Sequence, residues 1–245
     1  MEIIRSKSLS KHRQLIHGVS TKAGGNPPFF NNLSRHVGDE ELIVKQNRDK
    51  FFGELGIDQT RLVHANQVHS NNVKIVSRPG LIKETDGLIT DKKNLFLIIS
   101  VADCLPVMIY DRKNNLAANI HAGWRGTQKK IVSRAMEILI SECNSKPEDL
   151  EIFLGPCISQ KNFEVGSEVA ESFGDKFVSL KSGKYFVDIA GDNISQLKSF
   201  GLKDGQIEVN ELCTYDSPDL LHSYRRDKKQ SGRMFAVIGI RSNRG

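Results

Sequence analysis

Short apolar runs bounded by polar turns recur along the chain. Leu95–Val101, Val107–Tyr110, Leu116–Ile120, Glu151–Leu154 and Phe235–Ile240 are rich in Val, Ile, Leu and Phe and too short for helices, so they predict buried strands, and Leu62–Ala65 is a further expected strand. Three longer segments change period. Thr127–Cys143 places Ile131, Ala135, Ile138 and Leu139 on one stripe that ends at Glu142, with lysines opposite. Val44–Leu55 does the same with Val44, Phe51, Phe52 and Leu55, and Asp192–Phe200 with Ile194, Leu197 and Phe200. Strands and helices are mixed without strict βαβ alternation. The expected fold is therefore α/β or α+β: one layered sandwich domain over residues 1–245, with central mixed sheet flanked by helices. Gly24-Gly25-Asn26-Pro27-Pro28 reads as an ordered loop or lid, and no repeat or linker divides the chain.

The 245 residues suffice for a sizeable core, and 38% hydrophobic with 26% charged residues is ordinary for a soluble protein. The net charge of +6 suits anionic ligands. There is no run of five basic residues and no interleaving of basic with aromatic residues, so no nucleic-acid partner is expected. The N-terminus has no leader-like apolar stretch and no segment approaches membrane-spanning length; a cytoplasmic monomer is expected. Cys104, Cys143, Cys157 and Cys213 form no CxxC pair and are expected to stay reduced.

Reactive residues gather where the expected strands end. Asn66-Gln67-Val68-His69 follows one strand, Asp103-Cys104 another, and His121-Ala122-Gly123-Trp124-Arg125-Gly126 a third. His69, Cys104 and His121 are a three-ligand set suited to zinc with a fourth position open; copper also takes such a set. Separate packing of the three is the plainer alternative. A third reading makes Cys104 a nucleophile and His121 its base, with Asp103 or another acid orienting the imidazole. In the HAGWRGT turn, Gly123 and Gly126 allow close backbone approach and Arg125 a forked contact to phosphate, on a helix start that favours anions. Trp124 offers a face for a ring, or is simply buried. Arg225 and Arg226, beside Tyr224 and followed by Gly232-Arg233, form either an oxyanion site or surface ion pairs. His17, His36 and His64 are possible outer partners of the metal, with His64 the least expected to share a strand face with His69.

The segments HGVSTKAGG (17–25), NRDKF (47–51), NQVHS (66–70), TDGLIT (85–90), SVADCLPVMIYD (100–111), HAGWRGT (121–127), LGPCIS (154–159), FEVGSEV (163–169), NISQL (193–197) and SYRRD…GR (223–233) resemble the YfiH family. Its members are also called laccase-domain or polyphenol-oxidase-like proteins, and are grouped as purine nucleoside phosphorylases of a non-standard type. The resemblance runs in order from about residue 17 to the C-terminus. It implies a compact YfiH-like α/β domain and a zinc site at His69, Cys104 and His121. It also implies phosphorolysis of adenosine, inosine and S-methyl-5′-thioadenosine to a base and a ribose 1-phosphate, with adenosine deamination as a companion activity and copper-dependent phenol oxidation also attributed to the family. Lys22, Leu220-Leu221-His222 and DKKQSG depart from the usual pattern near the expected pocket mouth.

Multicopper laccases need many histidines, largely in HxH pairs, and this chain has seven histidines and no HxH. Phenol oxidation is then at most an activity of one copper-loaded site. Phosphorolysis needs a held phosphate, for which Gly123, Arg125, Gly126, Arg225 and Arg226 are the expected residues. It also needs a purine pocket, drawn from Gln67, Trp124, Phe29 and Phe30, and a proton donor such as Asp103. The alternatives are a Cys–His thiol hydrolase or deamidase and a non-enzymatic basic binding module.

Overall fold

The structure is a computed structural model and describes residues 1–242. Its strands are β1 (Ile3–Ile4), β2 (Leu15–Ser20), β3 (Leu62–Ala65), β4 (Val73–Ile75), β5 (Gly80–Ile82), β6 (Gly87–Thr90), β7 (Phe96–Val101), β8 (Leu105–Asp111), β9 (Leu116–Ala122), β10 (Leu150–Leu154), β11 (Glu164–Val165), β12 (Val178–Lys181), β13 (Lys184–Val187), β14 (Ile207–Val209) and β15 (Met234–Ile240). The helices are α1 (Glu41–Leu55), α2 (Trp124–Gln128), α3 (Ile131–Ser141), α4 (Ser167–Ala170), α5 (Ile189–Lys198) and α6 (Tyr224–Asp227). Two six-stranded mixed sheets, β1-β2-β15-β7-β3-β5 and β14-β10-β8-β9-β6-β4, stack face to face, and β11-β13-β12 forms a small third sheet.

Alternation along the strands sorts side chains into three cores. Leu97, Ile99 and Val101 of β7 and Met234, Ala236 and Ile238 of β15 meet Met108, Tyr110 and Ala117 of the second sheet. Their outward neighbours Phe96, Ile98, Phe235 and Val237 pack under Phe51, Phe52 and Leu55 of α1. The far face of the second sheet, with Val107, Ile109 and Ile120, is covered by Ile131, Ala135, Leu139 and Leu197 of α3 and α5. Strands buried on both faces read as continuous apolar runs, which is why these segments are visible in the sequence. One polar residue bridges the sheets: Asn119 on β9 donates to the carbonyls of Leu97 (2.9 Å) and Ala236 (2.9 Å).

The expected helix over Thr127–Cys143 is corrected to two, α2 and α3. Lys130 between them takes a left-handed backbone (φ 60°), which ends one helix and starts the next. Strand β2 went unpredicted because His17 and Gly18 interrupt its apolar pattern. Among the described residues no helix is long and apolar enough to cross a membrane.

Topology places the site. The chain crosses from the first sheet to the second after β3, after β5 and after β7, and His69, Asp86 and Cys104 lie in those three crossings. His121 ends β9, whose Ala122 pairs with Leu105 at the start of β8. All four therefore stand at one end of the sandwich. Met234 pairs with Val101 at the same end, bringing the 223–233 segment there as well.

Candidate metal centre and its cleft

The ligand atoms of His69, Cys104 and His121 lie within 4.8 Å of one another, and this is the one such cluster among the described residues. His121 is buried, Cys104 half-buried and His69 exposed toward the cleft. Two backbone conformations aim these groups: His69 has φ 57° and Asp103 φ 86°, both in the left-handed region that costs a non-glycine residue about 1–3 kcal/mol. Tertiary hydrogen bonds hold both.

Asp86, fully buried, is the centre of the first set. Its Oδ1 accepts from the His69 N–H (3.0 Å) and faces His121 Nδ1 at 2.8 Å. Its Oδ2 accepts from the N–H groups of Val68 (3.2 Å) and Ser70 (2.8 Å) and from the Ser70 hydroxyl (2.8 Å). Burial alone would raise this carboxyl; the donors, His121 first among them, outweigh it and bring it to about 2. The Asp86 contact fixes a proton on His121 Nδ1 and leaves Nε2 free as a ligand, the usual outer-partner arrangement of metal sites. Cys104 responds similarly: burial opposes ionisation, but His121 and His69 beside the sulfur pull its thiol well below the ordinary range. A thiolate and an imidazole held through Nδ1 are the protonation states a metal needs.

Gly123 completes the fit. A Cβ there would lie 2.9 Å from Cys104 Sγ and 3.2 Å from His69 Cδ2, so only glycine leaves the ligands their place. The donor set and this cradle fit one metal ion.

Asp103 does not orient the imidazole; Asp86 holds that position. The Asp103 carboxylate instead accepts from Thr214 Oγ1 (2.6 Å) and the Arg225 N–H (2.6 Å), and its backbone carbonyl accepts from the Ile158 N–H (2.9 Å). Gln67 clamps the end of β7, donating to the Ser100 carbonyl (2.9 Å) and accepting from the Ser100 N–H (2.7 Å).

A cleft of about 1110 Å³ opens over the centre. Gln67, Asp103, Trp124 and Arg225 line it; Arg125, Gly126, Arg226, Phe29 and Phe30 do not. Arg125 is exposed and stacks over Trp124 (4.2 Å). Arg226 is spent on the carbonyls of Thr214 (2.7 Å) and Leu221 (2.9 Å) and on Asp227 (2.7 Å). Gly126 is wedged against the Ser70 carbonyl, and α2, at five residues, is too short to present a strong anion-binding end. Lys22 covers the Phe30 ring at 3.9 Å.

The cleft brings in Arg35 and Arg48, to which no local pattern points, and Arg233, from the basic cluster that also holds Arg225. Arg35, Arg48 and Arg233 join Arg225 there, against the single carboxylate of Asp103. None of the four arginines is within ion-pair distance of a carboxylate among the described residues. Burial, then Arg35, lowers Arg48 to about 10, and burial, then Arg48 and Arg35, lowers His64 to about 4. Arg48, Arg225 and Arg233 each donate to a backbone carbonyl, but none of the four has a carboxylate partner among the described residues, and cations so placed attract an anion. His64, expected to face away from His69, lines the same cleft because His69 sits in a left-handed turn beyond the strand rather than on it. His17 lies elsewhere, accepting from the Ser6 N–H at 3.0 Å. The metal end of the cleft also carries an apolar wall of Trp124, Ile158 and Phe163.

Comparison with known proteins agrees with this architecture. Residues 16–241 match the family described as multi-copper polyphenol oxidoreductase laccase. A purine nucleoside phosphorylase of Bacteroides thetaiotaomicron is 33% identical over 96% of this chain and 94% of its own. A Mycobacterium bovis protein of that name is 35% identical over 90% of each chain. The crystal structure of YlmD from Geobacillus stearothermophilus superposes with a TM-score of 0.92 at 29% identity, covering 99% of this chain and 97% of that one. The Bacillus licheniformis protein YfiH gives 0.88 at 35% identity, with 94% of each chain covered. By sequence over nearly its whole length and by fold, the chain belongs to the multi-copper polyphenol oxidoreductase laccase family, the laccase-domain group that includes YfiH.

Proposed function

We propose that the protein is a zinc-dependent purine nucleoside phosphorylase acting on adenosine, inosine and S-methyl-5′-thioadenosine, with adenosine deaminase activity. The observation that carries this reading is one cleft lined both by a His-Cys-His metal set and by four arginines without a carboxylate partner among the described residues. The curated relatives named purine nucleoside phosphorylase support it.

Arg48 and Arg35 hold the phosphate dianion, with Arg233 between them and the metal end. Their fixed charge offsets the desolvation of phosphate and positions it against the ribose. The phosphate subsite thus moves from the HAGWRGT turn to this arginine group. Trp124, Ile158 and Phe163 form the face against which the purine packs. Asp103, already accepting two hydrogen bonds, keeps the Arg225 backbone and the Cys104 loop in register and supplies the negative end of the cleft. His69, Cys104 and His121 would hold the zinc, which would supply Lewis-acid chemistry to the cleft.

Incubation of purified protein with adenosine and phosphate, followed by chromatography and metal analysis, tests the reading. Wild type is expected to carry about one zinc per chain and to release adenine with ribose 1-phosphate. His69→Ala is expected to lose both. Retention of full turnover and metal by that variant would overturn it.

A second reading has its own observation: Cys104, His121 and Asp86 stand in the order of a nucleophile, base and orienting acid. That reading leaves His69 without a task. It calls for covalent trapping of Cys104 and indifference to chelators, the opposite of the metal reading on both counts.

A further inference from the structure

Cys157 and Cys213 lie outside the metal centre, and neither has a part in the reaction above. They face one another in an isolated parallel β-bridge, both as free, buried thiols. Paired strands run about 4.8 Å apart, within the Cα separation of about 4.4–6.8 Å that a disulfide spans. The two sulfurs have different surroundings. Cys213 Sγ accepts from the Ser159 N–H (3.3 Å), the Ser159 hydroxyl (3.1 Å) and the Asn162 amide (3.3 Å). A thiol has one proton to give and is a weak acceptor, so three donors converging on one sulfur make a cradle for a thiolate. Burial opposes ionisation of Cys213, yet the Ser159 and Asn162 donors outweigh it and lower the thiol, whereas burial raises Cys157. Leu212, Tyr215 and Asp216 around Cys213 are exposed, and the Lys161–Asp216 ion pair (2.9 Å) lies beside it at the surface.

We propose that Cys213 and Cys157 form a reversible redox-modification site, in which a small hydroperoxide oxidises Cys213 and Cys157 resolves it to a disulfide. The Cys213 thiolate attacks a peroxide oxygen and the O–O bond breaks, giving a sulfenic acid and hydroxide, which takes up a proton. The Cys157 sulfur then attacks the sulfenic sulfur. An S–S bond forms, the hydroxyl leaves with the Cys157 proton as water, and two thiols and one hydrogen peroxide have become one disulfide and two waters. A thiol reductant reverses it by exchange. The link braces the grip on the metal-site loop. Thr214 donates its N–H to the Cys157 carbonyl (3.0 Å) and its hydroxyl to Asp103 (2.6 Å), and Ile158 holds the Asp103 carbonyl.

The test uses the whole protein in excess zinc, which occupies Cys104, treated with a small excess of hydrogen peroxide and digested without reductant. Mass spectrometry should find a Cys157–Cys213 linked peptide that dithiothreitol removes. In Cys157→Ser, dimedone should capture a sulfenic acid at Cys213. Cys143 is the internal control: it is half-buried, and burial followed by Glu142 raises its thiol. Oxidation of Cys143 ahead of Cys213, or a link from Cys213 to Cys104, would overturn the proposal. Asn162→Ala keeps both thiols and removes one donor, so alkylation of Cys213 by iodoacetamide should slow about tenfold. An unchanged rate would dismiss the cradle.

Discussion

Replacing Asp86 by Asn preserves shape and removes only charge and one acceptor. Five donors converge on this fully buried carboxylate: Oδ2 serves Val68 N, Ser70 N and Ser70 Oγ, and Oδ1 serves His69 N and His121 Nδ1. An amide has only one acceptor oxygen. If its NH₂ takes the Oδ2 position, it confronts two backbone N–H groups that cannot turn away. If it takes the Oδ1 position, it confronts the His69 N–H and forces His121 to shed its Nδ1 proton, moving it to Nε2 and closing the ligand position. The first way turns two hydrogen bonds to a charged acceptor into donor–donor contacts and the second turns one, each costing about 1.5–3 kcal/mol. Asp86→Asn should therefore destabilise the fold by about 2–5 kcal/mol, a large share of a typical 5–15 kcal/mol. Metal affinity should fall about 10–100-fold, the usual cost of losing an outer partner of a ligating histidine. Urea unfolding and zinc competition with a chromophoric chelator measure the two quantities. A loss below about 1 kcal/mol with unchanged zinc affinity would refute the view that this carboxylate builds the site.

Three other outcomes follow from the same geometry. Gly123→Ala, at an ordinary backbone conformation (φ −74°), should leave stability within about 1 kcal/mol while lowering metal occupancy, because its new methyl meets Cys104 Sγ and His69; full occupancy would reject the cradle. Arg48→Ala should raise the phosphate KM about tenfold or more, with a smaller change in the nucleoside KM, read from initial rates at varied phosphate. His17 and His222 are buried and lowered, chiefly by burial, to about 4 and about 3. Their unfolded counterparts take up protons below about pH 6.5 while the folded ones do not, so stability is full above that pH and is lost as pH falls toward the folded values. Each should cost about 2 kcal/mol at pH 5, and His222→Phe should flatten the urea-derived stability profile between pH 7 and 5.

Val107–Tyr110 and Phe235–Ile240 were legible as strands because both faces of each are buried, and a doubly buried strand is apolar along nearly its whole length. The same pressure made the α1 and α3 stripes visible. The ligand types at His69, Cys104 and His121 were legible too, since thiol and imidazole at strand ends carry their chemistry in their names. Their convergence was not: it depends on the chain crossing between sheets three times at the same end, after the parallel strands β3, β5 and β7, a matter of strand order that local pattern does not encode. Asp86 was passed over in TDGLIT because its importance lies in five donors drawn from two other segments of the chain, 68–70 and His121. Arg125 and Arg226 looked like anion ligands beside their turns, yet one stacks on Trp124 in solvent and the other is consumed by backbone carbonyls. Arg35, Arg48 and Arg233, scattered over about 200 residues, face the cleft instead. Composition and local period depend on each residue's own burial, so the sequence by itself determined the layers and the available chemistry. Which charges remain unpaired, and which imidazole nitrogen is left free, depends on partners distant in the chain, so only the tertiary structure decided where that chemistry is aimed.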